Sequence, residues 1–506
     1  MAQGEQPSRT IAPLGSQVAS GFSLMLLQSV AGKAIAAVGQ IILAWYLRPQ
    51  EFGIVGLAFT ITALIGLLQQ AGLREILIRR SRTFPRWANA AFWMSLMTGC
   101  GAALLTVAIA PFAAAMYGAD SPATSRQQLV PLLDVLALAM PINAAATVPM
   151  VKLQIDLRFR ALTAIALCQG TLNMALSCLL AANGFGPYSF VLPIPVSAAL
   201  VAIAAWHLDA PEIRRSPEFR KWRFMVLESG KLITAGLFIH ACVQGGTFAL
   251  GIFHYNDAIV GMYTFAFGIS LQITHLLTFN LGSVLFPALS RLGAEPRRQR
   301  LAFERAVRLV LLVGIPMCIL QAAMADPLLR VLFRGKWDGA ILPLQILSIA
   351  MAFNLCSGPA INFLLTLGRT NTVLHLSMAS AAVYIGLVLV GASAGAAAGV
   401  AAAVAVHAFI FGHVYLIAAA RSSGGSAREV LLIFVKPVGL ALLAIVPIWA
   451  LYHAMEWNDS TAEELAFIAL GVPVAIGVTI ALTRVFAPGE LDELWRHVKD
   501  RLPLRR

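Results

Sequence analysis

One apolar hairpin near the start of the chain decides what kind of molecule this is. From Phe22 to Leu47 a single residue, Lys33, carries a charge; Arg48-Pro49-Gln50-Glu51 interrupts the run, and Phe52 to Leu73 is apolar again. At about 1.5 Å per residue, each arm is long enough to cross a hydrocarbon core of about 30 Å. Arg74, Arg79, Arg80, Arg82 and Arg86 follow the second arm. Basic residues collect at the cytoplasmic ends of membrane spans, so that side is expected to face the cytoplasm. The chain therefore reads as an all-α integral membrane protein. The lysine inside the first arm argues against a passive anchor, because a charge in the hydrocarbon layer needs a cavity or a partner.

The hairpin's pattern recurs along the sequence. The chain is 59% hydrophobic and 12% charged, about half the charge of a soluble domain. Apolar runs give fourteen spans, at 22–47, 52–73, 88–116, 129–150, 162–183, 186–206, 230–252, 258–283, 307–325, 341–366, 373–391, 394–420, 431–453 and 463–485. With both termini placed in the cytoplasm, thirty-one of the 37 lysines and arginines fall on the cytoplasmic side. Five fall outside (Arg48, Arg126, Arg330, Arg334 and Lys336), and Lys33 lies within a span. An error in the span count would scramble this split. The first 21 residues lack a cleavable signal pattern, so the first span is expected to remain. The formal charge of +13 is accounted for by topology, which leaves no nucleic-acid partner to infer. The six cysteines lie in apolar stretches without CxxC spacing and read as small core residues.

A weak internal repeat divides the spans into two sets of six. Ala44-Trp45-Tyr46 through Phe52-Gly53 to Ala58-Phe59 lines up with Ile252-Phe253-His254 through Val260-Gly261 to Ala266-Phe267, 208 residues on. Ala139-Met140-Pro141-Ile142-Asn143 matches Ala350-Met351-Ala352-Phe353-Asn354 at a spacing of 211. Six is an even number, so the two lobes share one orientation and are related by a pseudo-two-fold axis along the membrane normal, with a cleft between them. The expected organisation is a tail (1–21), an N-terminal lobe (22–206), a cytoplasmic linker helix (207–229), a C-terminal lobe (230–420), two additional spans (421–485) and an amphipathic cytoplasmic tail (486–506).

Enzyme chemistry finds no support. Each Gly-Lys pair lacks the following Ser or Thr of a phosphate-binding loop, and no H-E-x-x-H or Cys/His cluster offers a metal site. No cofactor is expected. The informative residues are polar ones within spans. Ser29, Gly32, Lys33, Ala36 and Gln40 form one stripe of the first span, and Gly236, His240, Gln244, Thr247 and Gly251 one stripe of the seventh. The repeat places Lys33 opposite Ala241, beside His240. Gln272 and His275 of the eighth span, the repeat-matched Asn143 and Asn354, and Asn362 are weaker candidates, equally readable as interhelical hydrogen-bonding groups. Gly391, Gly395 and Gly399 read as a close-packing motif.

The stretch from Ile41 to Arg80, with Leu47-Arg48-Pro49-Gln50-Glu51-Phe52-Gly53 at its turn and Gly72-Leu73 before the arginines, resembles the opening of bacterial polysaccharide-biosynthesis proteins, the lipid-linked oligosaccharide flippases. Leu153 to Leu162 resembles the short cytoplasmic loop those proteins carry after the fourth span. The resemblance implies the multidrug/oligosaccharidyl-lipid/polysaccharide exporter superfamily, two six-helix lobes and alternating access in the inner membrane. It implies an undecaprenyl-pyrophosphate-type substrate, held by Lys33 and secondarily His240, and pathway partners such as a polymerase and glycosyltransferases. Protonation of His240 is the expected coupling step. A drug antiporter, a lipid II flippase and a non-transporting scaffold are the rival readings. Asp134, the one acid within the N-terminal lobe's spans, lies near a span end, which disfavours the antiporter.

Overall fold

The structure, a computed structural model, describes residues 31–70, 73–116, 123–253, 255–279, 296–455, 461–486 and 488–489. The expected tails, at 1–21 and 490–506, and Ser29 lie outside the described residues. In chain order the helices are α1 (Ala31–Tyr46), α2 (Pro49–Gln70), α3 (Leu73–Arg79), α4 (Phe84–Met116), α5 (Ala123–Ile155), α6 (Phe159–Ala182), α7 (Tyr188–Val191), α8 (Pro193–Leu208) and α9 (Phe219–Ile252). The second lobe continues with α10 (Asp257–Thr274), α11 (Pro296–Phe333), α12 (Ile341–Asn354), α13 (Ser357–Thr366) and α14 (Thr370–Ser422). α15 (Ala427–Ala454) and α16 (Thr461–Phe486) pack on α11. Among the described residues, 11 helices are long and apolar enough to cross a membrane.

The hairpin turn forms for identifiable reasons. Pro49 occupies the first helical position of α2, where a missing N–H costs nothing. Glu51 reaches back to accept the Arg48 backbone N–H at 2.6 Å, half of a capping box with its carboxylate at the positive helix end. In the second lobe α10 begins at Asp257, the repeat equivalent of Pro49, and Asn256 caps it by accepting the Ala258 N–H at 3.0 Å. The repeat is therefore structural as well as textual.

The lobes meet where those two helices cross. A β-carbon on Gly53 would overlap the Asp257 carbonyl, and one on Gly261 would overlap the Pro49 carbonyl. Each glycine faces the start of the other's helix, and the four positions are related by the same 208-residue offset. This reciprocal contact marks the two-fold axis.

One continuous helix holds the expected eleventh and twelfth spans, and the expected linker is only partly helical. α14 spans 53 residues but bends at Gly395 and Ala396, whose φ of 48° lies outside the helical region. Its arms are two spans folded back on each other, and Gly391 and Gly399 each stand where a β-carbon would strike the other's carbonyl. The linker differs too. The stretch 209–218 is not helical, and the helix begins only at Phe219, running without a break into the seventh span as α9. Pro211 and Pro217 explain this, since a proline removes a backbone donor and its ring clashes within a helix.

Candidate functional site

The polar stripe of α1 lies against the other lobe. A β-carbon on Gly268 of α10 would come within 2.9 Å of the Gln40 amide nitrogen, so Gln40 packs on bare α10 backbone. Lys33 lies near enough to His275 for the two charges to interact. From 40 to 33 and from 268 to 275 the two helices advance by seven residues in opposite senses, about two turns along an antiparallel seam. At His275 the α-helix gives way to a π-turn, a distortion frequent at functional sites. Gln272 sits one turn before it, half-buried like Lys33 and His275. Sequence reasoning ranks Lys33 first and His275 low, and the structure sets both on this seam within electrostatic reach of each other.

The symmetry-related seam pairs α9 with α2. Gly236 lies against Leu67, a β-carbon there standing 3.4 Å from the leucine side chain. By the 208-residue offset, Leu67 takes the place of His275 and Ala241 that of Lys33. Positive charge is thus built into one seam and left out of its twin. His240 is half-buried on α9, its Nδ1 3.2 Å from the Gly236 carbonyl of its own helix. Gln244 is half-buried one turn further on. Asn143 is exposed in the middle of α5, where its carbonyl accepts the Thr147 hydroxyl at 3.1 Å. Asn354 is the last residue of α12 and half-buried. Neither asparagine belongs to the α1–α10 seam.

Beside Gln40 opens a cavity of about 400 Å³ between α1, α2, α6 and α10. Its polar lining comes from Gln40, Asn173, Ser177 and Thr264. The Asn173 amide donates to Ser197 Oγ at 3.3 Å and its carbonyl oxygen accepts from Ser177 Oγ at 3.5 Å. Sequence reasoning passed over Asn173 and Ser177, although their four-residue spacing within an apolar run was the available signal.

At its far end α1 is held by the C-terminal lobe. Helix termini leave carbonyls unpaired, and here Arg48 gives its N–H to Glu51 while Pro49 has none to give. The Ala44 and Trp45 carbonyls are filled across the lobe boundary: Lys336 Nζ donates to both, at 3.0 and 2.8 Å, and Trp337 Nε1 donates to Ala44 at 3.1 Å. The Trp45 indole returns a bond to the Leu332 carbonyl at 2.9 Å. Burial lowers the Lys336 ammonium below its ordinary pKa, an effect that nearby Glu51 opposes. Trp337, fully buried, stacks on Phe265 at 4.1 Å and meets Phe52 edge-on at 4.9 Å. Together with the Gly53–Gly261 crossing these contacts latch the lobes at one end.

Comparison with known proteins places this geometry. A family model described as polysaccharide biosynthesis protein matches residues 42–342. The succinoglycan biosynthesis transport protein ExoT of Rhizobium meliloti (strain 1021) is 26% identical over 358 residues, 69% of this chain and 69% of that protein. The lipopolysaccharide biosynthesis protein WzxC of Escherichia coli (strain K12) is 20% identical over 477 residues, 93% of this chain and 95% of that protein. Among solved structures, the lipid II flippase MurJ in an inward closed conformation superposes with a TM-score of 0.75 at 12% identity, over 92% of this chain and 98% of that one. An inward-facing multidrug resistance MATE transporter of the MOP superfamily gives 0.62 at 13% identity, over 81% and 98%. At these identities the two structures establish a shared fold.

Proposed function

We propose a flippase from one premise, that the chain belongs to the polysaccharide biosynthesis protein family. It is a multi-pass membrane transporter with fourteen spans and both termini in the cytoplasm of a bacterial inner membrane. Its substrate is a lipid-linked oligosaccharide of the undecaprenyl-pyrophosphate type, and its partners are the lipid around it and the enzymes that build and polymerise the glycan. A pyrophosphate with its sugars cannot enter hydrocarbon unaided, because desolvating an isolated charge costs tens of kcal/mol. Two lobes that rock about a polar seam let the head cross while the tail stays in lipid.

The observation that carries this reading is the charged seam. Lys33 from one lobe and His275 from the other come within electrostatic reach on the α1–α10 seam, with Gln40 and Gln272 within two turns. An anion arriving between the lysine and the imidazole favours the protonated imidazole, so binding takes up a proton and release returns it. His240 and Gln244 line the uncharged seam and serve the sugars instead. In proteoliposomes carrying a lipid-linked oligosaccharide, an imposed pH gradient should change flux severalfold. His275→Gln should flatten that dependence, and His240→Gln should leave most of it. Flux indifferent to pH in the native protein would remove proton coupling.

Orientation has its own test. The positive-inside distribution puts the Lys336 latch outside and Arg82 and Arg220 in the cytoplasm. Reporter fusions at these three points should read outside, cytoplasm and cytoplasm. A cytoplasmic signal at Lys336 would overturn the fourteen-span arrangement and the placing of the latch on the outer side.

A further inference from the structure

Away from the seam, a cavity of about 810 Å³ opens where the chain passes from the N-terminal lobe to α9. Its walls are the start of α4, the end of α5 and the non-helical linker 209–218, with five basic side chains against two acidic ones. We infer that this cavity binds the phosphate group of an anionic phospholipid. The inference rests on the membrane orientation proposed above only for naming the cytoplasmic leaflet; the binding itself does not depend on it.

Three features argue for phosphate. Arg80 rests on two rings that meet each other at 5.5 Å, its guanidinium carbon 4.4 Å from the Trp87 centroid and 4.5 Å from that of Phe224. Contact with both rings restrains the planar fork before a ligand arrives, which favours bidentate recognition of phosphate. Arg86 and Arg214 are exposed at the same cavity. One of the two acids at the cavity is already committed: the Lys221 bond and the Asn89 amide hold the Glu218 carboxyl below its usual pKa. Lys221 is thereby neutralised, and the arginines keep their surplus.

The walls are also braced. Asn89 accepts the Arg214 N–H at 2.9 Å and donates to the Ser216 carbonyl at 2.9 Å, while the Trp93 indole donates to the Arg214 carbonyl at 2.8 Å. Lys152 pairs with Asp209 at 2.5 Å, and Arg158 donates to the Leu208 carbonyl at 2.9 Å. The linker is strapped to the N-terminal lobe along its length, so the cavity does not depend on a loose loop.

Depth argues for a lipid source over free phosphate. Trp87 lines the cavity, Trp93 and Trp222 bond backbone carbonyls of Arg214 and Ala90 beside it, and Phe219 and Phe224 are exposed next to them. Tryptophan and arginine at one level mark the headgroup layer of a bilayer, and basic pockets at the cytoplasmic ends of spans bind anionic headgroups. Most basic residues of the chain would serve as diffuse anchors, whereas this cavity offers a shaped, pre-ordered one.

Native mass spectrometry and thermal unfolding of the purified full chain test the inference. The probes are phosphatidylglycerol, phosphatidylcholine and inorganic pyrophosphate, each added to the same detergent. Phosphatidylglycerol should be retained and raise the unfolding temperature by several degrees, and phosphatidylcholine should do neither. Arg86→Gln/Arg214→Gln should lower the retained phosphatidylglycerol at least threefold, while Arg421→Gln, an exposed arginine on the same face, should not. Pyrophosphate acting as strongly as the lipid, with the same loss in the variant, would keep the phosphate site and replace its lipid source by a soluble one. Equal retention in the double variant and the native chain would overturn the site. Should that variant unfold, Arg80→Lys keeps the charge and loses the fork held on Trp87 and Phe224, and unchanged retention there overturns it equally.

Discussion

Lys33→Ala should reduce export of the lipid-linked glycan by about tenfold to a hundredfold while the protein remains in the membrane at normal level. A hydrogen bond to a charged group contributes about 1.5–3 kcal/mol, and each 1.4 kcal/mol is about a factor of ten. Lys33 sits where such a bond counts, half-buried on α1 within electrostatic reach of His275 in the opposite lobe. Lys33→Arg should keep a good part of the activity, since it retains the cation at the same place. Membrane insertion should not suffer, because removing a mid-span lysine relieves about 2.5–3.5 kcal/mol on insertion scales. Glycan export in a strain lacking the native flippase, read beside an immunoblot of membranes, checks both statements. Near-normal export from Lys33→Ala would assign the lysine to structure. A matching loss from His275→Gln at acidic pH would tie the two residues into one site.

Much of this was visible in the sequence, for physical reasons that also explain what was not. A charge in an apolar run is conspicuous because the bilayer penalises it, so Lys33 stood out. The matched residues on either side of the turns, Phe52-Gly53 with Val260-Gly261 among them, made the repeat legible at the right offset. Periodicity tells which residues share a helix face but not which helix that face meets. His275 therefore looked no better than His240, although one seam holds the charge and its twin holds Ala241 and Leu67. The linker was misread because its aromatic and basic residues recur at helical spacing while Pro211 and Pro217 forbid the helix. Lys336 and Trp337 were invisible as a latch: they sit in a short Arg-Gly-Lys-Trp turn that reads as a surface loop. Their partners are backbone carbonyls, exposed by a helix end nearly three hundred residues away.

Gly261→Leu should abolish transport by preventing the latched state. The α2–α10 crossing brings backbone against backbone, and a β-carbon at Gly261 would overlap the Pro49 carbonyl. A flexible side chain could swing aside, but a carbonyl at a helix start can yield only if the helices part. Parting them withdraws Trp337 from Phe52 and Lys336 from the end of α1. Lys336→Ala removes two of the bonds without imposing a clash, so it should only shift the balance of states. At about 1.5–3 kcal/mol for a charged bond, that shift is about tenfold to a hundredfold. Ala44, fully buried at the latch, provides the readout. In a background free of other cysteines, Ala44→Cys should react slowly with an impermeant thiol reagent added outside. Adding Lys336→Ala should speed the reaction about tenfold, and adding Gly261→Leu should bring it to the rate of an exposed thiol. Gly53→Leu, the symmetry mate, should behave like Gly261→Leu. Slow labelling with intact transport in either leucine variant would show that the crossing can open without leaving the cycle, and the latch would lose its place in transport.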